Sequence, residues 1–324
     1  MHGTLERVSA WFGNSGARRL QVACVLVAVV TLLARIPFIV NPGMSTDSYA
    51  YLDGWPTWEQ FAAQGRFGLY MVFRLFEAFA VDPRTFGTLL QGLGIAVFGL
   101  SAPLLFAAFS VDRQIRILPL CIGGLVVTLH PYAAEMLTFS EASFTASVAA
   151  AMGIVAIFLV ARRPQRWWLS VLLLVGALSI YQLLVNYACL MILFGALKIH
   201  LRTEKEARWS LAPYRGVMLA IGVLALSLLI YLVLQKAILA ALDIKQVGRA
   251  AFLPLDRVGA RIDDLRTLTA FLWSRPLLVE YGGAARALLW LMVSAGWSAL
   301  AVYTIGRFRS RAVLPIIVMA LVPL

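Results

Sequence analysis

LQVACVLVAVVTLLA, residues 20–34, carries no charged side chain. Joined to the mostly apolar residues up to 40, it reaches the roughly 20 residues that cross the hydrocarbon core of a bilayer. Arg18 and Arg19 precede it, a pattern common to secretory signals and to first membrane helices. No small-x-small cleavage pattern stands before Arg35, and many further apolar runs follow. The stretch therefore reads as an uncleaved first membrane helix.

Outward from this helix, apolar segments recur at 85–110, 115–135, 143–161, 167–185, 187–199, 216–240 and 286–306. Another starts near 312 and runs into Leu324, so the natural chain is expected to continue beyond it. The run at 187–199 is short enough for a tilted or half-length element. This pattern predicts an all-α polytopic integral membrane protein with about nine transmembrane helices, the last one cut off, in a single transmembrane domain over 1–324. Composition agrees, with 61% hydrophobic residues, 14% charged residues and a mean hydropathy of +0.84. Soluble domains hold roughly 45–50% apolar and about 25% charged residues, so this chain would expose too much apolar surface in water.

The net charge is +12, and its placement orients the chain. With the N-terminus on the cytoplasmic side, the inner segments are 1–19, 111–116, 162–166, 198–215 and 307–311. They hold 16 of the 28 basic residues but only Glu6, Asp112, Glu204 and Glu206 among the 16 acidic ones. The short outer loops near 131–142 and 184–188 hold no basic residue. This asymmetry follows the tendency of Lys and Arg to remain on the cytoplasmic side. Two outer segments are long, 41–84 and 241–285, and polar chain of that length is where chemistry is expected.

Several function classes fall away. Cys24, Cys121 and Cys189 lie inside apolar runs and show neither a disulfide framework nor metal-ligand spacing. His2, His130 and His200 are scattered. There is no phosphate-binding glycine loop, dinucleotide fingerprint or zinc motif. No metal site is expected from these residues, and nucleic acid is not an expected partner.

The first long outer segment opens with NPGMSTDSYAYLDGW, residues 41–55. Asp47, after Ser45 and Thr46, suits a helix cap. Asp47 and Asp53 also suit a general base at the membrane surface. A sugar hydroxyl is a very weak acid and needs such a base to become a good nucleophile. Apolar surroundings favour the neutral acid and make a carboxylate a stronger base. The following WPTWEQFAAQGRFGLYMVFRLFEAF, residues 55–79, reads as a helix lying in the interface, with its tryptophans at headgroup level. Pro56 suits its first turn, and Arg74 and Glu77, three apart, suit an ion pair on one helical face.

Two further stretches carry polar groups at outer helix ends. In HPYAAEMLTFSEASF, residues 130–144, Glu135 and Glu141 flank a turn that Pro131 begins. They read either as solvated turn residues or as ligands for sugar hydroxyls. In LSIYQLLVNY, residues 178–187, Gln182 and Asn186 are four apart and predict one helix face, flanked by Tyr181 and Tyr187. They read either as bonds between helices or as pocket lining. The segment 241–285 holds Lys245, Arg249, Arg257, Arg261 and Arg266 against the inside-positive trend. An internal ion-pair network with Asp264 would explain them, and so would a lipid phosphate or pyrophosphate partner.

On the stretches Asp47–Arg66, 130–144 and 178–187, the sequence resembles the serotype-converting O-antigen glucosyltransferases, the Gtr-type membrane enzymes. These belong to the polytopic glycosyltransferases of GT-C architecture. The resemblance spans about 35–200. It implies transfer of a hexose, glucose above all, from a polyprenyl-phosphate donor to a lipid-linked O-antigen or related cell-surface glycan. It places the enzyme in the bacterial inner membrane and its active site on the periplasmic side. It implies a catalytic acid in the first outer loop, where Asp47 and Asp53 stand. Arg66, Glu135, Glu141, Tyr181, Gln182, Asn186, Arg249, Arg257 and Arg261 are the expected substrate-binding residues. No cofactor beyond the lipid-phosphate donor is expected, with a divalent metal left open. Membrane lipids, a donor synthase and a flippase are the implied partners. The rival reading is a non-enzymatic flippase or transporter of lipid-linked sugars. That class places charges near the bilayer midplane, whereas the acids here sit at outer helix ends and loops.

Overall fold

A computed structural model describes residues 16–40, 57–81, 86–110, 115–130, 140–182, 185–202 and 211–245, with the single positions 133, 137, 267, 291, 298 and 302. The described residues form helices and connecting turns, with no strand among them. The chain divides into two compact units, Met1–Ala196 with Tyr214–Ala250, and Leu197–Pro213 with Ala251–Leu324. The packing described below is that of the first unit. The spans expected at 286–306 and from 312 fall almost wholly outside the described residues.

Among the described residues the α-helices run α1 Gly16–Ala34, α2 Ile36–Val40, α3 Trp58–Ala63, α4 Phe67–Ala78, α5 Gly87–Ala107, α6 Ile117–Leu129, α7 Ser140–Arg162, α8 Trp167–Ile180, α9 Val185–Arg202 and α10 Arg215–Ala241. Among the described residues four stretches are long and apolar enough to cross a membrane: Gly16–Ala34, Gly87–Ala107, Ser143–Arg162 and Ala212–Ala241. The chain is thus a helical membrane protein. The run expected at 115–135 is a helix of only 13 residues, about 20 Å at 1.5 Å per residue. It stops at His130, whose φ of −57° and ψ of 140° are the extended values that a following proline imposes. The run expected at 167–185 likewise ends at Ile180, where Tyr181 turns extended.

Helix α7 packs on α5, α8 and α10, and α5 packs in turn on α1 and α6. Small residues let the backbones approach. A Cβ on Gly94 would fall 2.7 Å from the Ser143 carbonyl oxygen, and one on Gly99 would fall 2.7 Å from Ala28 Cα. Lipid tails are as apolar as leucine, so close backbone packing and buried polar bonds replace the hydrophobic drive between helices. Arg35, buried between α1 and α2, donates from Nη2 to the Thr128 carbonyl at 3.0 Å. The Thr31 and Thr128 hydroxyls bond at 2.8 Å. These bonds pin the end of α1 to the end of α6. Buried Gln91 on α5 donates to the Leu137 carbonyl at 2.6 Å and ties down the stretch that follows α6.

The segment expected as one interfacial helix is two. The Thr57 hydroxyl accepts from the Gln60 amide and the Gln60 side chain accepts from the Thr57 amide, a capping box that starts α3. Arg66 N–H then donates to the Phe61 carbonyl at 2.8 Å and Gly65 N–H to the Ala62 carbonyl at 2.9 Å. This pattern closes α3 with Gly65 at φ +72°, the left-handed position that glycine fills without a Cβ penalty. Helix α4 then presents three stripes. Leu69 and Phe73 are buried, Met71 and Leu75 are exposed and apolar, and Tyr70, Arg74 and Glu77 form a polar stripe. Arg74 and Glu77 form the expected ion pair. Such a division suits a helix lying in a membrane interface.

Candidate functional site

Three features meet at one point, two of them breaks in helical structure. The first is Gln64–Gly65–Arg66 between α3 and α4. The second is Tyr181–Gln182 after α8, where the chain leaves the helix before α9 begins at Val185. The third is not a break but a polar pair, Tyr231 and Gln235, one turn apart in the otherwise apolar α10. Helix α4 packs on α8 and α3 packs on α10, which brings the three together.

Tyr231 donates its hydroxyl proton to the Gly65 carbonyl at 2.9 Å. Gln182 Nε2 donates to the Gln64 carbonyl at 3.1 Å and to the Tyr231 hydroxyl oxygen at 2.8 Å. The Phe67 ring stacks on the Tyr231 ring with centroids 5.9 Å apart. The carbonyls left free by the end of α3 are therefore taken by two other helical segments. Gln235 is buried, and its Nε2 has no hydrogen-bond partner among the described residues. A Cβ on Gly65 would fall 2.8 Å from that Nε2 and 2.9 Å from Gln182 Nε2, and closer still to the Tyr231 hydroxyl.

Arg66 leaves this knot directly. Its guanidinium carbon lies 4.8 Å from the centroid of the Tyr181 ring, within cation–π range. The residue is half-buried, and its side chain makes no hydrogen bond or ion pair among the described residues. A guanidinium held over an aromatic ring keeps its N–H groups in the planar fork that matches phosphate oxygens.

The structure thus brings together Arg66, Tyr181 and Gln182 from the residues expected at the site. Asn186 is not with them. It is exposed in the first turn of α9, while Gln182 precedes that helix, so the two do not share a helix face. The expected face assumed helix through 181–184, and the extended Tyr181 breaks it. Glu141 lies in the first turn of α7, with its side chain outside the described residues. Asp47, Asp53, Glu135, Arg249, Arg257 and Arg261 also lie outside them. Sequence reasoning noted Gly65 only as the neighbour of Arg66 and missed Tyr231 and Gln235. Their signal was present in LLIYLVLQKAIL, residues 228–239, where a tyrosine and a glutamine four apart interrupt an apolar span.

A family model described as glucosyl transferase GtrII matches residues 36–257. The matched stretch contains Gly65, Arg66, Tyr181, Gln182, Tyr231 and Gln235, and also Asp47 and Asp53. No curated protein and no solved structure matches the chain.

Proposed function

From the premise that the chain belongs to the glucosyl transferase GtrII family, we propose that it transfers glucose from a polyprenyl-phosphate donor to a lipid-linked glycan, such as an O-antigen, at the outer surface of the bacterial inner membrane. The observation that carries the reading is Arg66, half-buried beside the interfacial helices, its guanidinium over the Tyr181 ring and its side-chain donors unclaimed among the described residues. Such a group is ready to take the donor phosphate. In the proposed reaction Asp47, or failing it Asp53, takes the proton from an acceptor hydroxyl. The hydroxyl oxygen attacks the anomeric carbon, the bond from that carbon to the phosphate oxygen breaks, and the polyprenyl phosphate leaves with the electron pair. Arg66 binds the phosphate and stabilises the charge that grows on it as it departs. Arg249, Arg257 and Arg261 are further candidates for the donor phosphate or the acceptor pyrophosphate. No organic cofactor enters this scheme.

The test is transfer of labelled glucose from polyprenyl-phosphate glucose in membranes containing the protein. Arg66→Lys keeps the charge but loses the fork. Losing one charge-assisted contact removes roughly 1.5–3 kcal/mol, so the apparent KM for donor should rise about tenfold or more. Asp47→Asn should lower turnover by about 10²–10⁴. Parent-like kinetics in the Arg66→Lys protein would remove Arg66 from the donor site. Absence of transfer by the parent, with movement of the lipid-linked sugar across vesicles, would favour a flippase.

A further inference from the structure

Between α3 and α4 lies a cleft of about 330 Å³ that the donor scheme does not use. Its aromatic walls are Trp58 and Tyr70, with ring centroids 4.9 Å apart and planes at 63°, one ring edge-on to the other. Phe73 lies at its buried side, and Glu59, Arg74 and Glu77 surround it. Its volume is at the small end of the range for small-molecule sites, enough for one sugar ring rather than a chain.

The chemistry of the lining selects the ligand. A pyranose has an apolar face of C–H groups and a rim of hydroxyls. Two aromatic rings meeting at an angle offer the apolar face a wall to lie on. Arg74 and Glu77 form an exposed ion pair, their side chains 57% and 48% exposed, and such pairs contribute little to stability. What the pair does offer is a row of fixed donors and acceptors for hydroxyls. Glu59 adds a second carboxylate. Its own backbone N–H, and then the Thr57 hydroxyl, hold its carboxyl below the usual carboxylate range, so it is ionised at neutral pH. With Arg74 positive and Glu59 and Glu77 negative, the cleft carries a net charge of −1. It would repel a phosphate and accept a neutral sugar.

Position agrees with the chemistry. Tyr70, Arg74 and Glu77 recur every three to four residues along α4 and begin one turn beyond Arg66. The neighbouring stripe of Met71 and Leu75 is apolar and exposed, which suits a helix lying against lipid. We propose that this cleft binds a neutral pyranose unit of the acceptor glycan, stacked on Trp58 and hydrogen-bonded by the Arg74–Glu77 pair. The acceptor role rests on the glucosyl-transfer reading, whereas the sugar site stands on the cleft itself.

The test uses the full-length protein in detergent and three neutral probes, the methyl pyranosides of glucose, galactose and rhamnose. Saturation-transfer NMR should show magnetisation reaching the C–H protons of one ring face for at least one of them. Trp58→Ala and Glu77→Gln should each reduce that transfer at least fivefold, and Trp58→Phe should restore most of it. Glucose 1-phosphate should bind this cleft more weakly than the neutral probes. In the transfer assay Trp58→Ala should raise the apparent KM for acceptor about tenfold and leave the KM for donor unchanged, the reverse of Arg66→Lys. Neutral-sugar binding that depends on Trp58, in a parent protein that transfers no glucose, would keep the site and overturn the transferase reading. A parent that transfers glucose while Trp58→Ala and Glu77→Gln leave probe binding and acceptor KM unchanged would overturn the sugar site alone. Preference for glucose 1-phosphate, lost in Trp58→Ala, would also overturn it.

Discussion

Gly65 carries the most consequence for its size. Its φ of +72° closes α3, its carbonyl takes the Tyr231 hydroxyl, and its missing Cβ leaves room for Tyr231, Gln182 and Gln235. Alanine there meets both obstacles at once, an unfavourable backbone region and three occupied contacts. Left-handed strain at a non-glycine residue costs about 1–3 kcal/mol. Gly65→Ala should therefore lower the thermal unfolding midpoint in detergent. It should also weaken donor use, because Arg66 follows immediately and its place on Tyr181 depends on this turn. Thermal unfolding and donor KM measured on one preparation check both, and a parent-like midpoint would show that the junction absorbs a Cβ. That a Gly-Arg pair follows the tryptophans was visible in the sequence. That the glycine is a left-handed helix end was not, because apolar residues resume at Phe67 directly after Gln64, Gly65 and Arg66, and one helix can carry such a short polar interruption.

Helix ends set the shape of the elements. Helix α4 closes as α3 does, with Ala80 N–H donating to the Glu77 carbonyl at 3.0 Å and Val81 N–H to the Phe76 carbonyl at 2.7 Å. Here the left-handed residue is an alanine, Ala80 at φ +52°. Left-handed backbone costs a Cβ-bearing residue roughly 1–2 kcal/mol, and glycine gives back part of this through its greater unfolded freedom. Ala80→Gly should stabilise the protein by about 0.5–1 kcal/mol, read as a higher unfolding midpoint with unchanged transfer kinetics. A lower midpoint would mean that the alanine methyl packs better than its exposure indicates. Helix types and most centres were legible, since long apolar runs have few alternatives in lipid. Several ends were not. The stop at His130 follows from Pro131, a local signal that can be read directly. The stop at Ile180 has no such residue, and only the hydrogen bonds of Gln182 to Gln64 and Tyr231 explain why the chain leaves the helix there.

At the scale of the whole molecule, the basic residues near the ends of α7 and α9 and the acidic first outer segment predict opposite sides of the membrane. In a background lacking Cys24, Cys121 and Cys189, Gly54→Cys should react with an impermeant maleimide in intact spheroplasts. Gln165→Cys, in the exposed turn between α7 and α8, should react only after permeabilisation. Equal labelling of both in intact cells would overturn the orientation and the periplasmic site with it.

The sequence by itself determined that this chain is helical and lives in a membrane, because apolar runs with few charges leave the backbone only one way to satisfy its hydrogen bonds in lipid. It also singled out Arg66, Tyr181 and Gln182, since polar groups at the ends of apolar spans are costly unless used. Only the tertiary structure decided that these three meet, and that Tyr231 and Gln235 join them from residues more than 160 positions after Gly65. It also decided that Trp58 and Tyr70 meet edge-on at the wall of one cleft. Periodicity reports which face of one helix is apolar. It carries no information on which other helix that face meets, because in lipid the pairing is set by small residues and by matched polar groups whose partners lie far away in the chain.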